Sequence, residues 1–143
     1  MAEGIAKALL QERSFFRIKS AGLCAIPGNP PAETAVRVSS NHGIPIAHHR
    51  AQRLSLALTR WADIIFCMER SHGLQVRKLS SPAPPIRLIG EGVPGIPDEV
   101  SDPYGGTKND YEQTFFHLTK AIAYHFGLHQ EGREHDRKAE ALG

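Results

Sequence analysis

Asp102 stands directly before a proline in the stretch DPYGG at 102–106. Proline disfavours the helical region for the residue ahead of it, so Asp102 is held in extended geometry. A carboxyl held this way can pass a proton to or from a reacting group. It can equally well close a turn, because Asp-Pro-x-Gly is turn chemistry. The two cysteines, Cys24 and Cys67, both sit in apolar surroundings. Cys67 falls in the run IIFCM, where burial raises a thiol's pKa and makes it inert, so a structural role is expected. Cys24, after SAGL at a strand end, is expected to be structural or a bystander. His125 and His129 are four residues apart, as paired metal ligands on a helix are. Gly127 lies between them and no third ligand accompanies them, so no metal is expected. Neither GxGxxG nor GxxxxGK[ST] occurs, so there is no nucleotide fingerprint, and no cofactor is expected.

These residues need elements to position them. The opening MAEGIAKALLQER reads as a helix, with Ala2, Ile5, Ala6, Leu9 and Leu10 on one face and no Ser, Thr, Asp or Asn to cap its start. FFRIKSAG at 15–22 alternates Phe16, Ile18 and Ser20 with Arg17 and Lys19, the pattern of a strand. IPGNPP at 26–31 breaks any regular element. A helix follows at 32–43, with Ala35, Val36 and Ser39 inward and Gly43 as its stop. A second covers 53–62, with Leu54, Leu58 and Trp61 on one side. Ile64 to Met68 are continuously apolar, as in a strand buried on both faces. Another helix runs to Leu79, and IRLIG at 86–90 reads as a short strand. The Gly/Pro loop at 91–106 is long enough to expect a function of it. TKNDYEQTFFHLTKAIAYHFGL is the longest helix, with Tyr111, Phe115, Leu118, Ile122 and Phe126 along one face. Helices alternating with strands point to a doubly wound parallel sheet, a three-layer α/β/α fold. One domain is expected over 1–127, then a polar, disordered tail over 128–143.

At 143 residues, 41% hydrophobic and 22% charged, the composition is that of an ordinary globular domain. A net charge of +2 is too small to imply a nucleic-acid partner, and HHRAQR at 48–53 reads as solvated surface. No apolar run is long enough to span a membrane. Two scattered cysteines suit a reducing, cytoplasmic setting.

Five stretches in order, MAEGIAKALL, SAG at 20–22, HGIPIAHHRAQRL at 42–54, ADIIFCMERSH at 62–72 and DPYGGTKNDYEQT at 102–114, resemble the low-molecular-weight protein tyrosine phosphatase family. That family also includes phosphoarginine phosphatases and thioredoxin-linked arsenate reductases. The resemblance runs from residue 1 to about 127. It implies phosphomonoester hydrolysis through a phosphocysteine. Asp102 matches the general acid and base, and Pro103 helps to hold it. Tyr104 matches the aromatic that lines the pocket wall. His49 and Ser20 match residues that brace the phosphate loop. The implied substrate is a phosphorylated protein or small phosphomonoester.

The family's nucleophile lies in a C-x5-R-[ST]-P loop that ends where MAE begins. Six residues beyond Cys24 stands Pro30, and six beyond Cys67 stands Gly73, so neither cysteine opens such a loop. The chain is therefore expected to lack the family's first, central strand and its phosphate loop, and to be inactive as it stands. Loss of a central strand is also expected to leave neighbouring backbone groups unpaired, so that open sheet edges self-associate. A non-catalytic remnant or phosphoprotein-binding domain is the alternative. An arsenate reductase is disfavoured, because residues 68–143 hold no cysteine.

Overall fold

A computed structural model describes residues 1–128. His129 and the tail beyond it lie outside the described residues. The elements are α1 (Ala2–Leu9), α2 (Glu33–Asn41), α3 (Leu56–Trp61), β1 (Ile65–Cys67), α4 (Arg70–Leu79), β2 (Ile86–Leu88) and α5 (Lys108–His125). The sheet consists of β1 and β2, parallel, with Ile65 opposite Ile86 and Cys67 opposite Leu88. Helices lie on both of its sides. α4 packs on both strands, while α5 packs on α1 and α2. Phe66 and Met68 from the first strand region and the buried Ile89 from the second join the α5 core, with Ile5, Val38, Phe115 and Leu118. This is the expected α/β arrangement with a parallel sheet. Among the described residues, no helix is long and apolar enough to cross a membrane.

Side chains cap the starts of α3 and α5. Thr107 caps α5 by accepting from the Asp110 amide, while Asp110 accepts in return from the Thr107 amide. This capping box satisfies amide groups that the first turn leaves without partners. Ser55 caps α3 by accepting from the Leu58 amide at 3.1 Å. The expected stripe of α5 holds, since Tyr111, Phe115, Leu118 and Ile122 are all buried.

Four expectations need correction. The segment 15–22 is not a strand. It keeps the alternation, with Phe16, Ile18 and Ser20 half-buried and Arg17 and Lys19 exposed, but its only ladder contact among the described residues is an isolated parallel bridge between Gly22 and Arg53. A strand needs a neighbour to bond, and along 16–21 none lies beside it. The apolar run at 64–68 yields a strand of three residues, and Ile64 is 41% exposed rather than enclosed on both faces. In the helix near 53–62, Trp61 is exposed and Leu54 and Leu58 are half-buried, while Thr59 is the residue fully buried. Its hydroxyl donates to the Ser55 carbonyl at 2.9 Å, which lets a polar side chain go inside. On α2, Val38 joins Ala35 and Ser39 in the core, and Val36 only borders it.

The loop after β2 is pinned. Gly90 donates to the Asp98 carbonyl at 3.0 Å, and Val100 to that of Met68 at 3.0 Å. Arg70 at the start of α4 binds it from outside, its amide to Glu99 at 2.7 Å and its guanidinium to Asp98 at 3.1 Å. Val93 and Val100 are buried beneath it. This anchored loop delivers the chain to Asp102.

Candidate active site

The DPYGG segment is a tight turn built on its glycines. Gly106 donates to the Pro103 carbonyl at 2.8 Å. Between them Gly105 adopts φ +78°, the left-handed conformation that a turn of this shape requires at its third residue. At Gly106 a Cβ would stand 2.6 Å from the Asp110 carboxylate and 2.9 Å from the Pro103 carbonyl, so the turn closes onto the cap of α5 only with glycine there. Asp102 Oδ1 accepts from the Tyr104 amide at 2.9 Å. The carboxylate is exposed, Pro103 is half-buried, and the Tyr104 side chain is 80% exposed.

Behind this turn lies Tyr111, a residue that sequence reasoning placed only on the inner face of its helix. Burial raises its phenol above the usual range, and the nearby Asp102 and Tyr104 raise it further. The turn, its acid and two phenols thus form one group at the start of α5.

A second group surrounds the first turn of α1. Glu3 Oε2 accepts from the Ser20 amide at 2.8 Å and from its hydroxyl at 2.6 Å. Glu3 Oε1 accepts from Lys7 at 2.5 Å. His49 Nδ1 stands 3.8 Å from the same Glu3 Oε2. Gln52 closes the group by donating to the Ser20 carbonyl at 2.8 Å. Partial burial alone would push the Glu3 carboxyl up. The hydrogen bonds from Lys7 and Ser20 outweigh it and hold the carboxyl below its ordinary value. The structure therefore brings Ser20 and His49 together, and the residue that joins them is Glu3, which sequence reasoning did not single out. Its only sequence signal was an acid in the first turn of a helix that lacks a side-chain cap.

The two groups share one core, in which Met1, Ala2 and Ile5 from the start of α1 meet Tyr111 and Phe115 from α5. No hydrogen bond or ion pair joins them among the described residues. Of the cysteines, Cys67 is buried and Cys24 exposed. Burial pushes the Cys67 thiol up, against a smaller downward pull from Arg77. His125 is occupied elsewhere, its Nε2 lying 2.8 Å from the Ile89 carbonyl.

The family model for low molecular weight phosphotyrosine protein phosphatase matches residues 1–136. The chain is 40% identical over 123 residues to a probable low molecular weight protein-tyrosine-phosphatase, EpsP, of Ralstonia nicotianae, covering 82% of this chain and 81% of the relative. It is 34% identical over 123 residues to the corresponding probable phosphatase AmsI of Erwinia amylovora, covering 83% and 80%. The crystal structure of a low molecular weight protein tyrosine phosphatase from T. tengcongensis superposes with a TM-score of 0.76 at 34% identity, over 85% of this chain and 84% of that one. The chain belongs to the low molecular weight phosphotyrosine protein phosphatase family.

Proposed function

We propose that this fold serves dephosphorylation of phosphotyrosine proteins or small phosphomonoesters, with Asp102 as the proton donor to the leaving group. Cleavage of a tyrosine phosphate expels a phenolate whose conjugate acid has a pKa of about 10. A carboxylic acid that protonates it as the bond breaks is worth roughly 10²–10⁴ in rate. Pro103 limits the backbone freedom of that acid, and Tyr104 offers an exposed ring to the substrate's own. The single observation that carries this reading is the Asp102 turn itself, closed by the Gly106–Pro103 bond, running directly into the Thr107–Asp110 cap of α5 and lying near the Tyr111 phenol, in a chain of this family. Glu3, Ser20 and His49 act as a brace at the start of α1, where a helix N-terminus favours a phosphoryl group.

The sulfur nucleophile is a separate matter. Residues 1–143 hold two cysteines and neither begins C-x5-R, so these residues alone form no phosphocysteine. A non-catalytic, phosphoprotein-binding role is the second reading. The observation favouring it is that Asp102 already caps the Tyr104 amide and presents Tyr104 outward. The test is a chain carrying a strand and a C-x5-R loop joined ahead of Met1, assayed on aryl phosphates of graded leaving-group pKa. The Asp102→Asn penalty is expected to grow as the leaving group becomes more basic. A penalty independent of the leaving group would remove Asp102 from the role of acid.

A further inference from the structure

We propose that Arg70 is a positioning residue for Asp102, an inference that rests on the reading of Asp102 as the proton donor. The Asp102 turn is bonded within itself, by the Tyr104 amide on the Asp102 carboxylate and the Gly106 amide on the Pro103 carbonyl. Among the described residues, Ser101 to Tyr104 make no hydrogen bond outside that turn. Its place in the molecule is therefore set at its two flanks. The downstream flank is the Thr107–Asp110 cap of α5. The upstream flank is residues 98–100, which Arg70 holds from the start of α4. Its Nη2 donates to Asp98 Oδ2 at 3.1 Å, and its Nη1 lies 3.5 Å from Glu99 Oε1. The same Glu99 oxygen accepts from the Arg70 amide at 2.7 Å.

The position of this cation separates holding the loop from stabilising the helix. Arg70 is the first residue of α4, where the positive end of the helix dipole disfavours a positive side chain. The first turn of α4 has no acid of its own, and its N-cap residue Glu69 makes no side-chain cap. The loop supplies what the helix lacks, through Glu99 on the Arg70 amide. In return, the guanidinium meets two consecutive loop carboxylates as a planar fork, where an ammonium would offer a single point charge. Exposed pairs of this kind contribute little to global stability. Unfolding of the whole chain also relieves the cation at the helix start, which offsets them further. Opening of the loop alone leaves α4 folded and brings no such relief. The clamp therefore acts on the loop, and through the loop on the Asp102 carboxyl that follows it.

Amide hydrogen exchange in the 143-residue chain, followed by NMR, tests the clamp without turnover. The reporters are the Gly90 amide, bonded to the Asp98 carbonyl, and the Val100 amide, bonded to that of Met68. In Arg70→Ala both are expected to exchange about three- to tenfold faster, while the α5 amides and the urea midpoint stay as in the parent. Arg70→Lys is expected to fall between the two. In the chain extended with a strand and C-x5-R loop, Arg70→Ala should lower kcat about tenfold on aryl phosphates with basic leaving groups. It should leave KM within about twofold and spare acidic leaving groups. On an Asp102→Asn background it should cost nothing further. The proposal is overturned if exchange at Gly90 and Val100 is unaltered or rises throughout the chain. It is equally overturned if the kcat loss is the same for every leaving group, or adds in full to that of Asp102→Asn. An Asp102→Asn penalty independent of the leaving group, with Arg70 intact, is a different failure: it removes the acid, and this inference with it, whatever the exchange rates.

Discussion

Removal of Glu3 isolates the brace at the start of α1. Its side chain is 14% exposed and receives both Ser20 bonds on one oxygen, at 2.8 and 2.6 Å. A hydrogen bond to a charged group contributes about 1.5–3 kcal/mol, but two bonds sharing one oxygen do not add in full. The Lys7 pair is exposed and worth about 0.3–0.5 kcal/mol. Glu3→Ala is thus expected to cost about 2–3 kcal/mol, a fall in Tm of about 5–10 °C for a chain of this size. Lys7→Ala is expected to cost only about 1–2 °C. The pH dependence has a definite sign. The folded Glu3 carboxyl titrates below its ordinary 4.5, so its contribution is present above that value and lost as pH falls through the depressed one. Thermal unfolding of parent and variant should therefore differ most near neutrality and converge in acid. If Lys7→Ala costs as much as Glu3→Ala, or if the gap persists undiminished in acid, Ser20 is not the partner that matters and the brace is misassigned.

Further outcomes follow from single contacts. The Asp110 carboxyl is held below its ordinary 3.8 by hydrogen bonds from the Thr107 amide and hydroxyl. Its contribution is therefore lost as pH falls below that value, and Asp110→Asn should flatten the acid limb of a stability–pH curve. The buried Ser39 hydroxyl has no hydrogen-bond partner among the described residues. Ser39→Ala is expected to raise stability by about 1 kcal/mol in urea unfolding, and a loss of that size would show that the hydroxyl is satisfied in solution. At Gly90 a Cβ would stand 1.9 Å from the Pro97 carbonyl oxygen. Gly90→Ala should cost about 3 kcal/mol or more by displacing the loop that leads to Asp102, read as a lowered urea midpoint.

Much of this fold was legible because it rests on local chemistry. The α5 stripe, the Gly43 stop after α2 and the turn at DPYGG are written in residues a few positions apart. What failed depended on distant neighbours. The 15–22 segment has a strand's alternation, yet a ladder is a property of two segments, and no spacing within one of them reveals whether the other lies alongside. Thr59 went inside and Trp61 stayed out because a hydroxyl could bond the preceding turn and an indole could lie under Lys19. The site divides the same way. Asp102, Pro103 and Tyr104 are consecutive and were visible together, and Ser20 and His49 were assigned through resemblance. Glu3 joins those two across 17 and 46 positions, a closeness that only the folded chain creates, and Tyr111 acquired its place beside Asp102 by the same route.

The most direct measurement is phosphate release from a phosphotyrosine peptide by the purified 143-residue chain, alongside the chain extended with a strand and C-x5-R loop ahead of Met1. The predicted result is no release above background from the former, and from the latter a turnover that Asp102→Asn reduces roughly 10²–10⁴-fold. Release by the 143 residues that survives both Cys24→Ser and Cys67→Ser, or an extended enzyme indifferent to Asp102→Asn, would contradict it.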